Sequence, residues 1–160
     1  MLARVDFAWR CHSAQESWTA KVDTKASILL TADLIGVAAL LARLSNPMSD
    51  SPSWHRITDG AAIALVGFAV ITTIAVIFPL LGTRTSAATP GTIYFGHLRR
   101  RDPEDVAQQL LGATLINQID QLSRQLVAMA RVNWIKHRLL QAGLVLSVAG
   151  YAIAGLSVIL

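Results

Sequence analysis

Charged side chains are scarce in this chain of 160 residues and make up only 15% of it. Soluble domains carry about a quarter of their residues as charged types. Hydrophobic residues reach 53%, and the mean hydropathy is +0.48. The deficit of charge argues against a freely soluble protein and indicates a membrane protein, whose length fits one compact domain.

Other features that carry chemistry are also missing. The single cysteine, Cys11, excludes an intrachain disulfide, and a small half-buried residue of a helix is its more common role. There is no glycine-rich phosphate loop and no Ser–His–Asp grouping. Four histidines are scattered without the spacing of a metal site: His12, His55, His97 and His137. We therefore expect no catalytic residues, no metal, no cofactor and no enzymatic activity.

Three long apolar runs are present, at residues 26–44, 60–81 and 141–160. Each is close to the roughly 20 residues that a helix needs to cross the hydrocarbon core of a bilayer. A soluble helical bundle is the alternative, but its helices would show one polar face. The second and third runs show no such face, so they predict membrane spans.

The basic residues orient these spans. Of the 14 Lys and Arg, four precede the first run and eight lie between the second and the third. The short segment 45–59 contains only Arg56. Because positive charge accumulates on the cytoplasmic side, we expect a multi-pass protein of the inner membrane with a cytoplasmic N-terminus.

The segment before the first span has the pattern of a helix. Phe7, Cys11, Ala14 and Trp18 recur at steps of four and three residues and predict one apolar stripe. No helix breaker separates this segment from the first span, so the helix should continue into it. Residues 82–98 are rich in Gly, Thr, Ser and Pro and predict a loop or a short extended piece docked by its aromatic side chains.

A helix start follows this loop. Asp102 can cap it, Pro103 suits its first position, and Glu104 and Asp105 favour the positive end of the helix dipole. A heptad seam comes next, and no proline or glycine interrupts residues 113–141, so this helix should continue into the third span. The seam consists of Leu115, Ile119, Leu122, Leu126 and Met129. Its expected partner is the N-terminal stripe or another subunit.

The predicted fold is thus an all-α membrane protein with three transmembrane helices, a cytoplasmic two-helix stalk and a connecting loop. Residues 1–25 form a cytoplasmic helix, and 26–44, 60–81 and 141–160 are the spans. Residues 45–59 form an outer loop, and 82–140 a cytoplasmic loop and helix. Small residues of the last span, Gly143, Ser147 and Gly155, are typical of helix association and favour a homo-oligomer.

Asp33 is a carboxylate inside the first span, where insertion costs about 2.5–3.5 kcal/mol. It either accepts hydrogen bonds between helices or lines a pore or weak seam of an oligomer. The candidate hydroxyl partners are Thr31, Thr72, Thr73 and Ser147.

The run of three arginines at 99–101 has three interpretations. It can set topology and contact anionic lipid headgroups. It can instead bind a phosphate-bearing ligand, with Tyr94 and Phe95 stacking on the base. Nucleic acid is the least favoured partner, because three residues are a small footprint.

Several short motifs occur in a recognisable order: "KVDTKASILL" at the first span, "FPLL" at the end of the second, then "YFGHL" before the polar helix. In this order the chain resembles the small transmembrane effectors of Pycsar antiphage systems. The resemblance depends on Asp23, Lys25 and Ala26, on Phe78 and Pro79, and on Tyr94 to His97. It implies that a partner cyclase makes cyclic CMP or cyclic UMP, and that this chain then impairs the inner membrane and causes abortive infection.

Some effectors of that kind have a separate nucleotide-binding domain, so in this chain the site must be built from the cytoplasmic loop and helices. The residues implied for nucleotide binding are Tyr94, Phe95, His97, Arg99, Arg100 and Arg101. A ligand there would shift the stalk and turn the first span. Asp33 would then admit water or ions, and Asp23 and Lys25 would hold the junction at the membrane surface.

Two other functions remain open from the sequence. The chain can be a structural or accessory membrane protein that scaffolds a partner through residues 102–138. It can also be a membrane effector gated by another nucleotide second messenger.

Overall fold

The structure is a computed structural model that describes residues 2–45, 53–78, 91–93 and 95–159. Five helices and no strand occur in these ranges: α1 (Leu2–Leu44), α2 (Ser53–Ile77), α3 (Phe95–Leu98), α4 (Pro103–Leu111) and α5 (Leu115–Ile159). The chain divides into two compact units. The three-helix unit contains Lys21–Phe78 and Ile135–Leu160, and the loop unit contains Met1–Ala20 and Pro79–Trp134.

Two helices are unusually long. Helix α1 has 43 residues and α5 has 45, and neither contains a proline. This confirms that the N-terminal helix continues into the first span and that the seam helix continues into the third. Each of the three helices α1, α2 and α5 is long and apolar enough to cross a membrane.

Two helix starts differ from the prediction. Helix α2 begins at Ser53, so the predicted outer loop 45–59 is wrong for its second half, which is helical.

Asp102 lies at the N-cap of α4, but its side chain makes no capping hydrogen bond. Helix α4 then ends at Leu111, with Gly112 as its C-cap, because glycine is a poor helix former. A separate helix, α5, follows. Thr114 caps its N-terminus, since Thr114 Oγ1 accepts a hydrogen bond from the Asn117 amide at 3.2 Å.

The contacts of the three-helix unit define its topology. Asp33 of α1 contacts Ser147 of α5, and Arg43 of α1 contacts Ser157. The two pairs have the same separation in sequence, 114 residues, so α1 and α5 run parallel. Helix α2 is antiparallel to both, because its contacts with α5 and α1 run in the opposite order.

The three-helix unit buries polar residues beside its apolar clusters and exposes large apolar side chains. The buried positions of the three-helix unit include Asp33, Asp59, Thr73, Lys136, Ser147 and Ser157. Large apolar side chains point outward, such as Ile35 and Val145, each 67% exposed. Hydrocarbon solvates an apolar exterior well, whereas polar groups there must find partners inside the bundle. The three-helix unit therefore has the surface and interior that a membrane-spanning bundle needs.

Small residues let α2 and α5 approach closely. A Cβ atom on Gly143 would lie 2.9 Å from the Thr72 and Thr73 hydroxyls. A Cβ on Gly150 would lie 2.7 Å from Val66 Cγ2. Small residues that we expected to favour association between subunits thus serve packing within one chain, while Gly155 faces open space.

The buried face of α1 in the loop unit is not the predicted stripe. Phe7 is 65% exposed and Trp18 is 54% exposed, while Val5 and His12 are buried. Hydrogen bonds explain this orientation. Thr19 Oγ1 donates to Asn133 Oδ1 at 2.6 Å, and Asn133 Nδ2 donates to Gln15 Oε1 at 2.8 Å.

The α5 seam is confirmed as a face that turns inward. Leu122 is fully buried, and the other seam residues are half-buried: Leu115, Ile119, Leu126 and Met129. The predicted partner of the seam, the stripe around Phe7 and Trp18, is wrong because that stripe faces outward.

Candidate functional site

Asp33 is completely buried in the three-helix unit, with 0% of its surface exposed. Two hydroxyls of α5 donate to its carboxylate. Ser147 Oγ lies 2.9 Å from Oδ2, and the Tyr151 hydroxyl lies 3.2 Å from Oδ1. Each carboxylate oxygen therefore has one donor from α5. Of the two interpretations of Asp33, the hydrogen bond between helices is observed.

Each of these hydroxyls has a second acceptor within reach. Ser147 Oγ lies 2.9 Å from the Gly143 carbonyl, and the Tyr151 hydroxyl lies 3.2 Å from the Ala32 carbonyl. Since a hydroxyl has a single hydrogen, bonding to a carbonyl leaves the carboxylate with one donor fewer. The hydrogen bonds of Asp33 can thus be exchanged without moving a helix.

No cation compensates Asp33 among the described residues. The other two aspartates that α5 contacts each have one. Asp59 lies 3.1 Å from Arg43 Nε, and Asp23 lies 2.6 Å from Lys136 Nζ. Of these three aspartates, Asp33 is therefore the one whose hydrogen-bond donors, within the described part of the unit, are all neutral.

Tyr151 reaches Asp33 because residue 36 is a glycine. A Cβ atom built on Gly36 would overlap the Tyr151 ring and its hydroxyl. Because Gly36 has no side chain, the Tyr151 ring packs directly against the backbone of α1, one turn after Asp33. Any larger side chain at position 36 would push the ring away from the carboxylate.

The hydroxyl partners proposed for Asp33 have different outcomes. Ser147 is confirmed. Thr31 donates to the Ser27 carbonyl and Thr72 to the Ala69 carbonyl, so both bond within their own helices. The Thr73 hydroxyl is buried and has no hydrogen-bond partner within the described residues. Sequence reasoning missed Tyr151, although its position one turn beyond Ser147 places both on one helix face.

A second polar cluster ties all three helices. Arg43 of α1 lies 3.1 Å from Asp59 Oδ2 of α2, and its NH2 group donates to Ser157 Oγ of α5 at 3.0 Å. Ser157 Oγ in turn lies 3.0 Å from Asp59 Oδ1. Sequence reasoning missed this cluster, since Arg43 looked like an edge residue and Asp59 a loop residue.

Asp23 and Lys25, the predicted junction residues, differ in their surroundings. Asp23 is half-buried and accepts from Lys136 Nζ, which is itself almost fully buried. Lys25 is exposed. The structure therefore gives Asp23 a defined partner on α5.

The predicted nucleotide-binding residues belong to the loop unit. His97 is half-buried on the short helix α3, and Arg99 and Arg100 are exposed directly after it. Arg101 is half-buried and donates a hydrogen bond to Gln109 of α4. Tyr94 and the side chain of Phe95 lie outside the described residues.

Backbone and side-chain donors dock the loop onto α5. Both the amide and the hydroxyl of Thr92 donate to Gln121 Oε1 at 3.1 Å. A Cβ on Gly91 would lie 3.6 Å from the same Gln121 oxygen and 4.0 Å from His97 Nδ1. The structure therefore brings His97 close to Gly91, next to a hydrogen-bonded anchor that the sequence analysis missed. Within the described ranges, no group of three His, Cys, Asp or Glu could hold a metal ion.

Comparison with known proteins identifies a family. The family model PycTM, described as the Pycsar effector protein domain, matches residues 7–160. No curated protein and no solved structure gave a significant match. The family match covers α1 from Phe7 onward and every other described helix.

Proposed function

Since the chain belongs to the PycTM family of Pycsar effectors, and is therefore an effector of antiphage defence, we propose that it impairs the inner membrane in response to a cyclic pyrimidine nucleotide. A partner cyclase supplies cyclic CMP or cyclic UMP, and the membrane damage causes abortive infection. The chain itself performs no catalysis, and it acts as a homo-oligomer in the bilayer.

The observation that carries this proposal is the apolar exterior of the three-helix unit together with the carboxylate inside it. Its exterior suits lipid, and its interior contains a buried carboxylate that has no cation among the described residues. A polar interior held by neutral hydroxyls can accept water or ions when the helices move apart. Ionisable residues within membrane spans are commonly functional for this reason. Asp33 is the residue that we assign to the membrane lesion.

The loop unit supplies the proposed ligand site. Arg99 and Arg100 are exposed cations that suit the cyclic phosphate, with His97 beside them. Tyr94 and Phe95 would stack on the base. Arg101 would position the turn through Gln109 rather than contact the ligand alone. The acidic first turn of α4, Glu104 and Asp105, disfavours an anion at the helix start itself.

Two continuous helices could transmit ligand binding in the loop unit to the three-helix unit. Helices α1 and α5 each run without a break from residues of the loop unit into residues of the three-helix unit. In this proposal, a ligand acts on the three-helix unit through one of these two helices. The excess of Lys and Arg in the N-terminal segment and in residues 82–138 supports a cytoplasmic position for the ligand site, with Asp23 and Lys25 at the membrane surface.

The test is membrane potential and dye entry in cells that express the chain, supplied with cyclic CMP, cyclic UMP or cyclic AMP in turn. We expect depolarisation with one pyrimidine nucleotide and no response to cyclic AMP. Depolarisation by cyclic AMP alone would reassign the ligand. No response to any nucleotide, with the protein confirmed in the membrane, would contradict the proposed function and favour a scaffold.

Two charge variants locate the ligand site. Replacing Arg99 and Arg100 together by Ala should abolish the response to the nucleotide. Arg56→Ala is the matched control, because Arg56 is an exposed arginine in the first turns of α2 and has no proposed contact with the ligand. An equal loss in both variants would place the nucleotide elsewhere.

A further inference from the structure

We propose that Tyr151 is a positioning residue that keeps Asp33 inside the closed three-helix unit, and that Gly36 is required to admit it. This inference rests on the proposed membrane-impairing function, and it names a contact that prevents membrane leak in the absence of ligand. Three separate observations support it: the location of Tyr151, the bond that it makes, and the gap that receives its ring.

The location of Tyr151 is unusual for a tyrosine in a membrane protein. Tyrosine is enriched at the two interfaces, where its hydroxyl can reach water. Tyr151 instead lies in the middle of the third apolar run, at residues 141–160. A hydroxyl at that depth needs a partner inside the protein. It has two, the Asp33 carboxylate and the Ala32 carbonyl, both on α1.

The bond to Asp33 completes the set of donors. Ser147 serves Oδ2, and Tyr151 serves Oδ1. Without Tyr151, one oxygen of a fully buried carboxylate has no donor among the described residues. A buried charged acceptor that lacks its donor attracts water, because leaving it unsatisfied is expensive in a medium of low dielectric.

Tyr151 lies at the surface of the bundle and reaches the buried carboxylate with its hydroxyl. Its surface is 37% exposed, so the ring forms part of the outer surface while its hydroxyl points inward at Asp33. Gly36 makes this arrangement possible, because any Cβ there would overlap the ring. The Tyr151 ring and Gly36 thus depend on each other, and a substitution of either residue should weaken the hydrogen bond to Asp33.

The experiment measures ion leak from proteoliposomes that contain the purified full chain, without nucleotide. Tyr151→Phe retains the ring and removes the hydroxyl, and it should raise basal leak between about threefold and tenfold, the range expected for one hydrogen bond in a membrane protein. Gly36→Ala should raise it similarly, because the ring is displaced. Gly67→Ala is the matched control, since a Cβ on Gly67 meets nothing within 4 Å.

Two double variants separate positioning from packing. If Gly36 acts through the ring, adding Gly36→Ala to Tyr151→Ala should cause no further leak. If Tyr151 acts through Asp33, then Tyr151→Phe should have no effect in an Asp33→Leu background, which has no acceptor for the hydroxyl. Additive effects in either pair would overturn the proposal, and so would basal leak in Tyr151→Phe equal to that of the unmodified chain.

The unfolding stability of Gly36→Ala in detergent gives a second readout. We expect a loss that the added Tyr151→Ala change largely removes, because the overlap disappears with the ring. Failure of the proposed function would appear differently, as an unmodified chain that never leaks with any nucleotide. The nucleotide-free leak of Tyr151→Phe, and its dependence on Asp33, would still decide the role of Tyr151.

Discussion

Two aspartates on the buried face of the three-helix unit are held by different chemistry. Asp59 has a guanidinium at 3.1 Å and a serine hydroxyl at 3.0 Å. Asp33 has a serine hydroxyl at 2.9 Å and a tyrosine hydroxyl at 3.2 Å. The serine comes from α5 in both clusters, so the difference lies in the other donor.

The comparison distinguishes a cluster that holds the helices together, at Asp59, from a cluster whose hydrogen bonds can rearrange, at Asp33. The Asp59 cluster is neutral as a whole, and it joins α1, α2 and α5. The Asp33 cluster retains an uncompensated carboxylate and joins only α1 and α5. A neutral cluster with three helices resists opening, whereas hydroxyls can rotate from a carboxylate to a carbonyl at small cost. Four predictions test this distinction, from the largest expected effect on stability to the smallest.

Breaking the ion pair should have the largest effect. Arg43→Leu leaves the Asp59 carboxylate buried with only Ser157, and we expect the free energy of unfolding in detergent to fall by about 3 kcal/mol. Arg56→Leu is the control, as an exposed arginine in the same part of the unit. The double variant Arg43→Leu with Asp59→Leu should recover most of the loss. A loss below about 1 kcal/mol for Arg43→Leu would show that the pair is not structural.

Closing the space between α2 and α5 should have the next largest effect. Gly150 lies on α5 between the two serines, and a Cβ there would be 2.7 Å from Val66 Cγ2 and 3.1 Å from the Ala62 carbonyl. Overpacking of this kind costs about 1–3 kcal/mol, which thermal unfolding of Gly150→Ala would measure. Gly155→Ala should be neutral, since nothing lies within 4 Å of its Cβ; an equal loss there would point to a general effect of glycine.

Removing each serine hydroxyl compares the two clusters directly. Ser147→Ala leaves Asp33 with Tyr151 alone, and we expect a loss of about 1 kcal/mol in unfolding free energy. Ser157→Ala leaves Asp59 with its guanidinium, so its loss should be about half as large. The reverse order would contradict the view that Arg43 is the main partner of Asp59.

Neutralising Asp33 should change stability least and activity most. Asp33→Asn removes an ionisable group that has no cation among its described neighbours and retains an oxygen that accepts a hydroxyl. We expect unfolding stability within about 1 kcal/mol of the unmodified chain, normal insertion, and a nucleotide-induced leak at least about tenfold lower. Asp59→Asn is the matched control and should lower stability without a selective effect on leak. An unchanged leak in Asp33→Asn would remove this residue from the mechanism.

The elements that local signals define were predictable. The absence of breakers before the first apolar run and within residues 113–141 predicts two long helices, and α1 and α5 have that form. Hydropathy located the three helices that are apolar enough to cross a membrane, and the depth of Asp33 in the first of them identified it as a residue that needs partners. Residue types likewise suggested Ser147, because a hydroxyl is the donor that a span can most easily provide.

The phase of each helix was less predictable. Helix α1 was expected to turn Phe7 and Trp18 inward, yet it buries His12 and pairs Gln15 and Thr19 with Asn133. Hydrogen bonds to Asn133, rather than apolar periodicity, set the inner face of α1 in the loop unit. The polar residues mark it, but which of them meet depends on the register between helices that are more than 100 residues apart in sequence.

The sequence by itself therefore determined the two long helices, the three apolar runs and one carboxylate in need of partners, because periodicity and composition act over short distances along the chain. Only the tertiary structure decided that Arg43 neutralises Asp59, that Lys136 meets Asp23, and that Tyr151 packs over Gly36 to reach Asp33. These pairings follow from the parallel register of α1 and α5. That register depends on small residues, bulky rings and polar bonds fitting together at the same time.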